Sequence, residues 1–465
     1  MGIARIEDRG SRNEEKGLNL DPRSSPPNRV LNPAEPAVKK YTVRTAKKIA
    51  GTIVVPGDKS ISHRAVMLGS LARGTTVVSG FLQGEDTIAT LNAFRHMGVD
   101  AREEEGKLHI QGTGLFGLRE PEDVLDCGNS GTSMRLMTGI LAGQRFFSVL
   151  SGDRYLRNRP MGRVIEPLAK MGAKILGRSG GSKAPLAIQG GDLSGVSYLS
   201  PVASAQIKSS LLLAGLYACG ETEVKEPSLS RDHTERMFRY FGADIEPRAN
   251  GAIIRGGREL EGREVTVPAD ISSAAFFIVA ALLVPGSELL ITNVGVNPTR
   301  TGILDILLKM GASIDLLNAR EVSGEPVADL LVRSSSLRGI EIGGDLVPRA
   351  IDEFPVLCVA AACAEGKTIV RDARELRVKE TDRIAAMAAN LTKAGVEILE
   401  TEDGMEISGT DTLRGCEVDS FGDHRIAMSM LIAGLVASGE TTVTDTDCIA
   451  TSFPTFLELL EKVCR

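Results

Sequence analysis

The sequence predicts an α/β protein with more than one domain, built from repeated units. Three observations support this. The chain has 465 residues, which is too long for a single hydrophobic core. Helical segments rich in small apolar residues alternate with strand segments that begin at glycine. The same order of turn, helix and strand recurs six times, and each unit has room for a βαβαββ block.

Composition places the chain among soluble globular proteins. It is 42% hydrophobic and 25% charged, and no apolar run reaches the length of a membrane span. A net charge of -6 argues against general nucleic-acid binding but permits a local anion site. Seven scattered cysteines without C-x-x-C spacing indicate neither a zinc site nor a disulfide framework. We therefore expect a cytoplasmic protein without a metal, a membrane partner or a nucleic-acid partner.

The first forty residues differ from the rest of the chain. They combine five prolines with mixed charges and show little apolar periodicity. They have no apolar core of a signal peptide, and their acidic residues fit a transit peptide poorly. Residues 1–40 are therefore predicted to be a disordered tail.

Six predicted helix starts carry most of the polar chemistry. The units begin near residues 57, 128, 204, 270, 352 and 422, which are 66 to 82 residues apart. Helix N-termini present N–H donors and positive partial charge, so they favour anions. Taken singly, Asn129 or Ser204 is best interpreted as an ordinary N-cap, and the apolar helix faces as core.

Cations at these starts are harder to explain as capping. The stretch PGDKSISHRA places Lys59 and Arg64 in a first helical turn, where positive charge opposes the helix dipole. Further cations follow in RYLRNRP, RELRVKETDR and GDHR. If the six starts converge, an acidic protein acquires a cationic cleft. Such a cleft suits a small polyanion that carries phosphate or carboxylate.

The motifs resemble one enzyme family. GDKSISHR, CGNSGTSMR, RNRP, SAQIKSSLL, IDEFP, LRVKETDRI, FGDHRIAMS and TSFP occur in the order typical of EPSP synthase, over residues 41–465. The resemblance implies a two-domain inside-out α/β prism of six βαβαββ repeats, with the active site in the interdomain cleft. One domain would combine residues 41–57 with 269–465, and the other would span residues 58–268.

The resemblance also implies the reaction. These enzymes transfer the enolpyruvyl (carboxyvinyl) group of phosphoenolpyruvate to the 5-hydroxyl of shikimate 3-phosphate and release phosphate. The reaction is an addition and elimination through a tetrahedral intermediate, in the shikimate pathway to chorismate and aromatic amino acids. It needs no cofactor, and the herbicide glyphosate occupies the phosphoenolpyruvate site. We expect a monomer whose partners are these small substrates, and substrate anions would compensate the cationic helix start.

Site residues carry over from the matching motifs. The resemblance implies shikimate 3-phosphate binding by Lys59, Ser60, Arg64, Ser204, Gln206, Asp352 and Lys379. It implies phosphoenolpyruvate binding by Lys59, Gly131, Arg159, Gln206, Arg383 and Arg425.

Three residues would be catalytic. Asp352 is expected to be the base at the 5-hydroxyl, Glu380 the partner for protonating the methylene, and Lys59 a cation that reaches both substrates. The residues alone favour helix capping for Asp352. His63 and His424 titrate in the right range, but both adjoin cations and are assigned structural roles.

Several positions depart from the common family pattern. Thr451 stands where many members have lysine, Ala205 replaces a serine, and Glu375 replaces an asparagine. Arg231 in SRDHTERM is a candidate for the missing phosphate contact. These features resemble the second, bacterial branch of the family.

Two rival functions use the same residues. UDP-N-acetylglucosamine enolpyruvyl transferase shares the fold and the donor, but its reactive cysteine is absent from SGDRYLRNRP, and Cys127 is expected in the core. A non-catalytic repeat scaffold would not require Asp352 and Glu380 among cations. Because the predicted site is split between two domains, like-charged walls are expected to hold the empty cleft open.

Overall fold

The structure is a computed structural model that describes residues 39–464. The predicted disordered tail therefore lies outside the described residues, apart from its last two positions. Lys39 forms an ion pair with Asp447, and Lys40 begins the first strand.

Helices are distributed over the whole of the described chain. Three short 3₁₀ helices cover Leu156–Asn158, Arg374–Val378 and Thr446–Thr451. Thirteen α-helices lie within residues 39–464: α1 Lys59–Leu71, α2 Glu85–His96, α3 Gly131–Ala142, α4 Gly162–Lys170, α5 Ala205–Gly215, α6 His233–Tyr240, α7 Ile271–Leu283, α8 Gly302–Lys309, α9 Leu346–Ala350, α10 Phe354–Ala362, α11 Arg383–Lys393, α12 His424–Gly434 and α13 Phe456–Val463.

The strands are mostly short, and the longest of them are Ser313–Val322 and Glu325–Arg333. Within residues 39–464 they are β1 Lys40–Arg44, β2 Ala50–Ile53, β3 Ala72–Ser79, β4 Asp100–Glu104, β5 Lys107–Thr113, β6 Leu125–Asp126, β7 Phe147–Ser151, β8 Lys174–Arg178, β9 Lys183–Gln189, β10 Leu193–Ser194, β11 Ser197–Leu199, β12 Ala218–Cys219, β13 Glu221–Lys225, β14 Asp244–Arg248, β15 Gly251–Arg255, β16 Leu260–Glu261, β17 Glu264–Thr266, β18 Glu288–Gly295, β19 Ser313–Val322, β20 Glu325–Arg333, β21 Glu341–Ile342, β22 Lys367–Val370, β23 Glu397–Glu400, β24 Met405–Ser408, β25 Leu413–Arg414, β26 Glu417–Asp419, β27 Ala437–Ser438 and β28 Glu440–Thr444.

One sheet pattern recurs in five of the six units, whereas the sheet β1-β28-β26 has three strands. The sheet β6-β7-β9-β8 is typical, with an antiparallel hairpin joined to a third antiparallel strand and a parallel edge strand. The sheet β11-β13-β15-β14 repeats this arrangement, as does β21-β22-β24-β23. Burial alternates along β9 and β13, so one face of each sheet packs inward and the other meets solvent.

Some strands at the ends of the repeats pair with strands that are far away in the sequence. The N-terminal strands β1 and β2 pair with β28 and β18, while β17 pairs with β3. The chain therefore passes twice through one place, where Gly57 bridges Ala269 and the Asp58 N–H donates to the Pro268 carbonyl at 2.8 Å.

Two hydrophobic cores result from this pairing. The first core takes buried residues from 43–55 and 269–463, and the second takes residues 61–267. Helices fill both cores: every residue of α10 and α12 is buried, and nearly all of α7. Small residues permit this density, because a Cβ at Gly139 of α3 would clash with the Ser210 carbonyl of α5.

Contacts unite the described residues 39–464 in one compact unit, so the boundaries of the two predicted domains stay a prediction. Cys127 is buried in the second core, as expected.

Among the helices of the described residues, none combines the length and the apolar character that crossing a membrane requires.

Candidate active site

A cavity of about 500 Å³ lies between the two cores, and residues from both line it. Residues at the starts of α1, α3, α5, α7, α10 and α12 all contribute to its wall, so the predicted convergence of the six units is confirmed. Its wall holds six carboxylates: Asp270, Asp345, Asp352, Asp372, Glu375 and Glu380. It holds ten cations: Lys59, Arg64, Arg135, Arg159, Arg163, Arg231, Arg300, Lys379, Arg383 and Arg425.

The excess of four positive charges occurs in a chain of net charge -6. Every residue predicted to bind substrate lines the cavity except Gly131, whose neighbour Thr132 lines it instead. A small polyanion is therefore the ligand that this wall fits best.

Lys59 is the first residue of α1 and reaches into the cavity. Its Nζ lies 3.0 Å from Oδ2 of Asp86 on α2, and its side chain is 16% exposed. Asp58 caps the helix by accepting from the Ile61 N–H at 2.9 Å. The negative charge beside this cationic helix start is thus partly supplied by Asp58 and Asp86, which were not predicted, and not by substrate alone.

Arg64 is buried and holds several helices together. Its Nε donates to Oγ1 of Thr234 at 2.7 Å, and its Nη2 donates to Oγ of Ser209 at 2.8 Å. Its Nη1 donates to the Ser60 carbonyl at 2.9 Å. Burial lowers the pKa of Arg64 to about 10. A guanidinium has five N–H donors, so two remain for a ligand.

Gly131 begins α3 behind two arginines. A Cβ on this residue would lie 2.8 Å from Nη1 of Arg159 and 2.9 Å from Nη1 of Arg135. Glycine therefore leaves room for these guanidinium groups. Residue 131 affects the shape of the cavity indirectly, because it determines where the two arginine side chains can lie.

Arg135 was missed in the sequence, although it lies one helical turn after Gly131 in CGNSGTSMR. Its Nη1 donates to Oε1 of Gln206 at 2.6 Å, and Gln206 donates to Oγ1 of Thr132 at 3.0 Å. Burial, followed by the charge of Arg159, lowers the pKa of Arg135 to about 9. Arg135 thus orients the predicted substrate ligand Gln206.

Asp352 lies in the turn before α10 and does not cap that helix, so the capping interpretation is wrong. Its Oδ2 lies 2.6 Å from Nη2 of Arg231 and 3.7 Å from Nη2 of Arg425. Burial alone would raise its pKa, but Arg231, Arg425, Lys379 and Arg383 together hold the pKa well below the usual value. Asp352 is therefore ionised in the empty site.

Glu380 is held by two arginines. Oε2 lies 2.7 Å from Nη2 of Arg383, and Oε1 lies 3.4 Å from Nη1 of Arg159. Burial opposes the ionisation of Glu380, but Arg383 and Arg159 hold its pKa well below the usual value.

Two neighbouring cations are also held by carboxylates or burial. Burial lowers the pKa of the adjacent Lys379, although Asp352 opposes that shift. Arg383 is itself fixed by Asp423, whose Oδ2 accepts from Nε at 2.8 Å.

Three ion pairs cross the cavity between the cores. Besides Arg231 and Asp352, they join Arg159 to Glu380 and Arg163 to Glu375. In each pair the cation belongs to the chain segment of the second core and the carboxylate to that of the first. The expectation of like-charged walls is wrong, because the cations of one wall face carboxylates of the other.

A second buried network was not predicted. Arg300 lies 3.5 Å from Oδ2 of Asp58, 3.3 Å from Oδ1 of Asp270 and 3.7 Å from Oε1 of Glu353. Burial and the charge of Asp58 raise the pKa of Asp270. Asp58 and Asp270 lie where the chain passes between the cores, and Glu353 immediately precedes α10. Arg300 therefore fixes the starts of α1, α7 and α10 relative to each other.

The remaining predicted residues fall into two groups. Arg231 and Ala205 line the cavity, as does His424, whose pKa is lowered well below its usual value by burial and Lys59. Thr451 is not among the lining residues. His63 is buried against Thr90, with Nδ1 2.7 Å from Oγ1, which supports its structural role. Within residues 39–464, no group of three or more His, Cys, Asp or Glu side chains is arranged to hold a metal ion.

This combination defines a class of protein: an α/β enzyme of six repeated units that binds small phosphorylated or carboxylated anions between two cores. The chain belongs to the EPSP synthase (3-phosphoshikimate 1-carboxyvinyltransferase) family, whose model matches residues 43–460.

Relatives and solved structures agree with this assignment. The 3-phosphoshikimate 1-carboxyvinyltransferase of Geotalea uraniireducens is 74% identical over 426 residues, which are 92% of this chain and 99% of the relative. The enzyme of the same name from Geobacter metallireducens is 72% identical with the same coverage. An EPSP synthase structure from Acinetobacter baumannii is 48% identical, with a TM-score of 0.82 over 92% of this chain and 98% of that one. The predicted fold class is confirmed.

Proposed function

We propose that this chain transfers the carboxyvinyl group of phosphoenolpyruvate to the 5-hydroxyl of shikimate 3-phosphate and releases phosphate. It is a transferase of the family to which it belongs, and the reaction is the one for which its relatives are named. The observation that carries the proposal is the position of Asp352 and Glu380. Both carboxylates face one cavity among ten cations, where two anionic substrates need positive charge and the reaction needs proton transfer.

Shikimate 3-phosphate is assigned to the part of the cavity near α1 and α5. We infer that Lys59, Ser60 and Arg64 bind it from one side and Ser204 and Gln206 from another, with Lys379 opposite. The Ser204 hydroxyl accepts from the Ile207 N–H at 3.5 Å, which is long for a hydrogen bond and leaves the hydroxyl available to a phosphate oxygen. We infer that Arg231 also binds the phosphate of shikimate 3-phosphate, because a substrate bound between Arg231 and Asp352 frees the guanidinium from the carboxylate.

Phosphoenolpyruvate is assigned to the arginine cluster. We infer that Arg159, Arg383 and Arg425 bind its phosphate and carboxylate, while Lys59 and Gln206 contact both substrates. Gly131 contributes by leaving space for Arg159. Both Arg159 and Arg383 pair with Glu380, so donor binding also changes the surroundings of that carboxylate.

The proton steps follow from these positions. Asp352 takes the proton of the 5-hydroxyl as the hydroxyl oxygen attacks C2 of phosphoenolpyruvate, and Glu380, protonated in the complex beside Lys59, donates its proton to C3. In the elimination the Glu380 carboxylate takes a proton back from C3 as the bond between C2 and the phosphate oxygen breaks, and the proton on Asp352 passes to the leaving phosphate. Anionic substrates neutralise the arginines that lower the pKa of Asp352 and Glu380, so binding brings both pKa values closer to neutrality, where proton transfer is most effective.

The domain boundaries, the oligomeric state and the location are proposed as well. We infer that residues 41–57 with 269–465 form one domain and residues 58–268 the other. The two cores and the pairing of strands β1, β2 and β17 support this division. We also propose a monomer, because one chain lines the whole cavity. The proposed location is the cytoplasm, which the seven scattered cysteines favour. Light scattering coupled to size exclusion tests the monomer.

The test of the reaction compares acceptors. Phosphate release from phosphoenolpyruvate is measured with shikimate 3-phosphate and, in parallel, with UDP-N-acetylglucosamine. We expect release with shikimate 3-phosphate and none above background with the nucleotide sugar. Glu380→Gln serves as the variant control, since it should lower turnover with the true acceptor. Release with the nucleotide sugar alone would contradict the proposal.

A further inference from the structure

Lys208 is a fully buried lysine on α5, one residue after Ile207 and close to Leu211 in the second core. Its Nζ lies 2.9 Å from Oε2 of Glu226 and 2.8 Å from Oε1 of Glu235. Removing such charges from water is costly, and an apolar residue would fill the site more easily. The cluster therefore requires an explanation beyond packing.

Glu226 joins two segments of the cavity wall. Its Oε1 accepts from the Ser204 N–H at 2.8 Å, and its Oε2 accepts from the Ser230 N–H at 3.3 Å. The Ser230 hydroxyl donates to the same carboxylate at 2.7 Å. Ser204 and Ser230 line the cavity, whereas Lys208 and Glu226 are not lining residues. One carboxylate behind the wall thus fixes the start of α5 and the loop that leads to Arg231.

Glu235 extends the cluster to a third segment. It follows Thr234 on α6, whose hydroxyl accepts from Nε of Arg64. Lys208 lies on the helix that Ser204 caps. Its two carboxylate partners belong to the loop that leads to Arg231 and to the helix that carries Thr234, the partner of Arg64. These segments surround the part of the cavity assigned to the acceptor, while the arginines assigned to the donor lie elsewhere.

We propose that Lys208 is a positioning residue for shikimate 3-phosphate. As the counter-ion of Glu226, it holds that carboxylate where Ser204 and Ser230 can donate to it, and so prearranges the acceptor side of the cavity. The inference rests on the proposed function and deepens it, because it assigns a buried ion cluster to one of the two substrates.

The experiment separates the two substrates. Lys208→Met retains length and removes the charge. We expect the dissociation constant and KM of shikimate 3-phosphate to rise about tenfold, which is typical when a buried charged group loses its partner. The KM of phosphoenolpyruvate should change less than about twofold, because the donor arginines are not partners of the cluster. Adding Glu226→Gln should recover part of the acceptor affinity, because it removes the unpaired charge and keeps an oxygen that can accept from Ser204.

Leu211→Ala is the matched control, since Leu211 is buried on the same helix and is not an ion-pair partner of the cluster. It should lower the melting temperature without a selective effect on the acceptor. If Lys208→Met does not fold, Glu226→Gln alone carries the test. Its single oxygen can accept from Ser204, but its amide nitrogen cannot accept from Ser230 or pair with Lys208, so the KM of shikimate 3-phosphate should rise selectively and by less than in Lys208→Met. Equal changes in both KM values, or loss of melting temperature alone, would overturn the inference. A wild-type enzyme that does not use shikimate 3-phosphate would overturn the proposed function instead, and the inference with it.

Discussion

Arg231 and Asp352 form an ion pair across the cavity, with Nη2 of the arginine 2.6 Å from Oδ2 of the aspartate. The side chains are 15% and 18% exposed, so solvent screens their interaction only weakly. One contact thus joins the two walls and also lowers the pKa of the proposed base. Both consequences can be measured.

Asp352→Asn tests the proposed base. The amide retains the size and polarity of the carboxylate but does not accept a proton at neutral pH. Turnover should fall by roughly 10²–10⁴, the usual contribution of a general acid or base. Binding of shikimate 3-phosphate, measured by calorimetry, should survive. Asp411→Asn on the exposed surface is the control. A turnover within a few-fold of wild type would show that Asp352 is not the base.

Arg231→Gln tests how the ion pair tunes this base. Arg231 is the strongest of the charges that lower the pKa of Asp352, so its removal lets that pKa rise. Activity needs the ionised carboxylate and is lost as pH falls through this pKa. The acid limb of the kcat/KM profile should therefore move to higher pH in the variant. Arg163→Gln removes a cation that pairs with Glu375 instead, and should leave the limb in place. Identical limbs for Arg231→Gln and wild type would refute the assignment.

Arg163 and Glu375 test whether ion pairs hold the empty cavity closed. Nη1 of Arg163 lies 2.8 and 2.9 Å from the two carboxylate oxygens, at the exposed rim of the cavity. Arg163→Glu should open the cleft and increase the radius of gyration of the ligand-free enzyme in small-angle scattering. The exchanged pair R163E/E375R should reverse the increase. Exposed pairs contribute only about 0.2–1 kcal/mol, so the increase in the radius of gyration should be small. It should become smaller still at high salt, because salt screens exposed charges.

The matched control for that experiment is Arg333→Glu. Arg333 pairs with Glu288 at 2.9 Å with similar exposure, but both residues belong to the antiparallel strands β18 and β20 of one sheet. The scattering profile of this variant should match wild type. If all four proteins scatter alike, the cross-cavity pairs do not control closure.

Gly131→Ala tests how the donor site is shaped. The new Cβ would displace Nη1 of Arg159, which lies 2.8 Å from its position. We expect the KM of phosphoenolpyruvate to rise, since inserting a methyl into a packed site typically costs about 1–3 kcal/mol. Inhibition by glyphosate should weaken by more than the KM rises, because the longer inhibitor depends more on this space.

Gly191→Ala is the control for that substitution, because a Cβ at Gly191 meets nothing within 4 Å. Inhibition curves at matched phosphoenolpyruvate saturation decide the question. Equal inhibition constants for wild type and Gly131→Ala would mean that residue 131 does not shape the inhibitor's site.

Much of the fold and part of the site could be predicted from the sequence. The six units are visible because turn residues, helical periodicity and glycine-led strands are local signals that act over a few residues. The cations at helix starts were visible for the same reason: Lys59 and Arg64 conflict with a local rule about helix dipoles, and a local conflict indicates a ligand.

Only the tertiary structure decided which charges meet. Arg231 and Asp352 belong to different cores, and Arg300 pairs with carboxylates from three separate segments. Lys208 is hidden in an apolar helix pattern, yet it pairs with Glu226 and Glu235. The energy of such pairs depends on distance and desolvation, which the order of residues does not encode locally. The sequence therefore predicted a positive cavity, but the paired walls became visible only when distant segments were brought within a few ångströms.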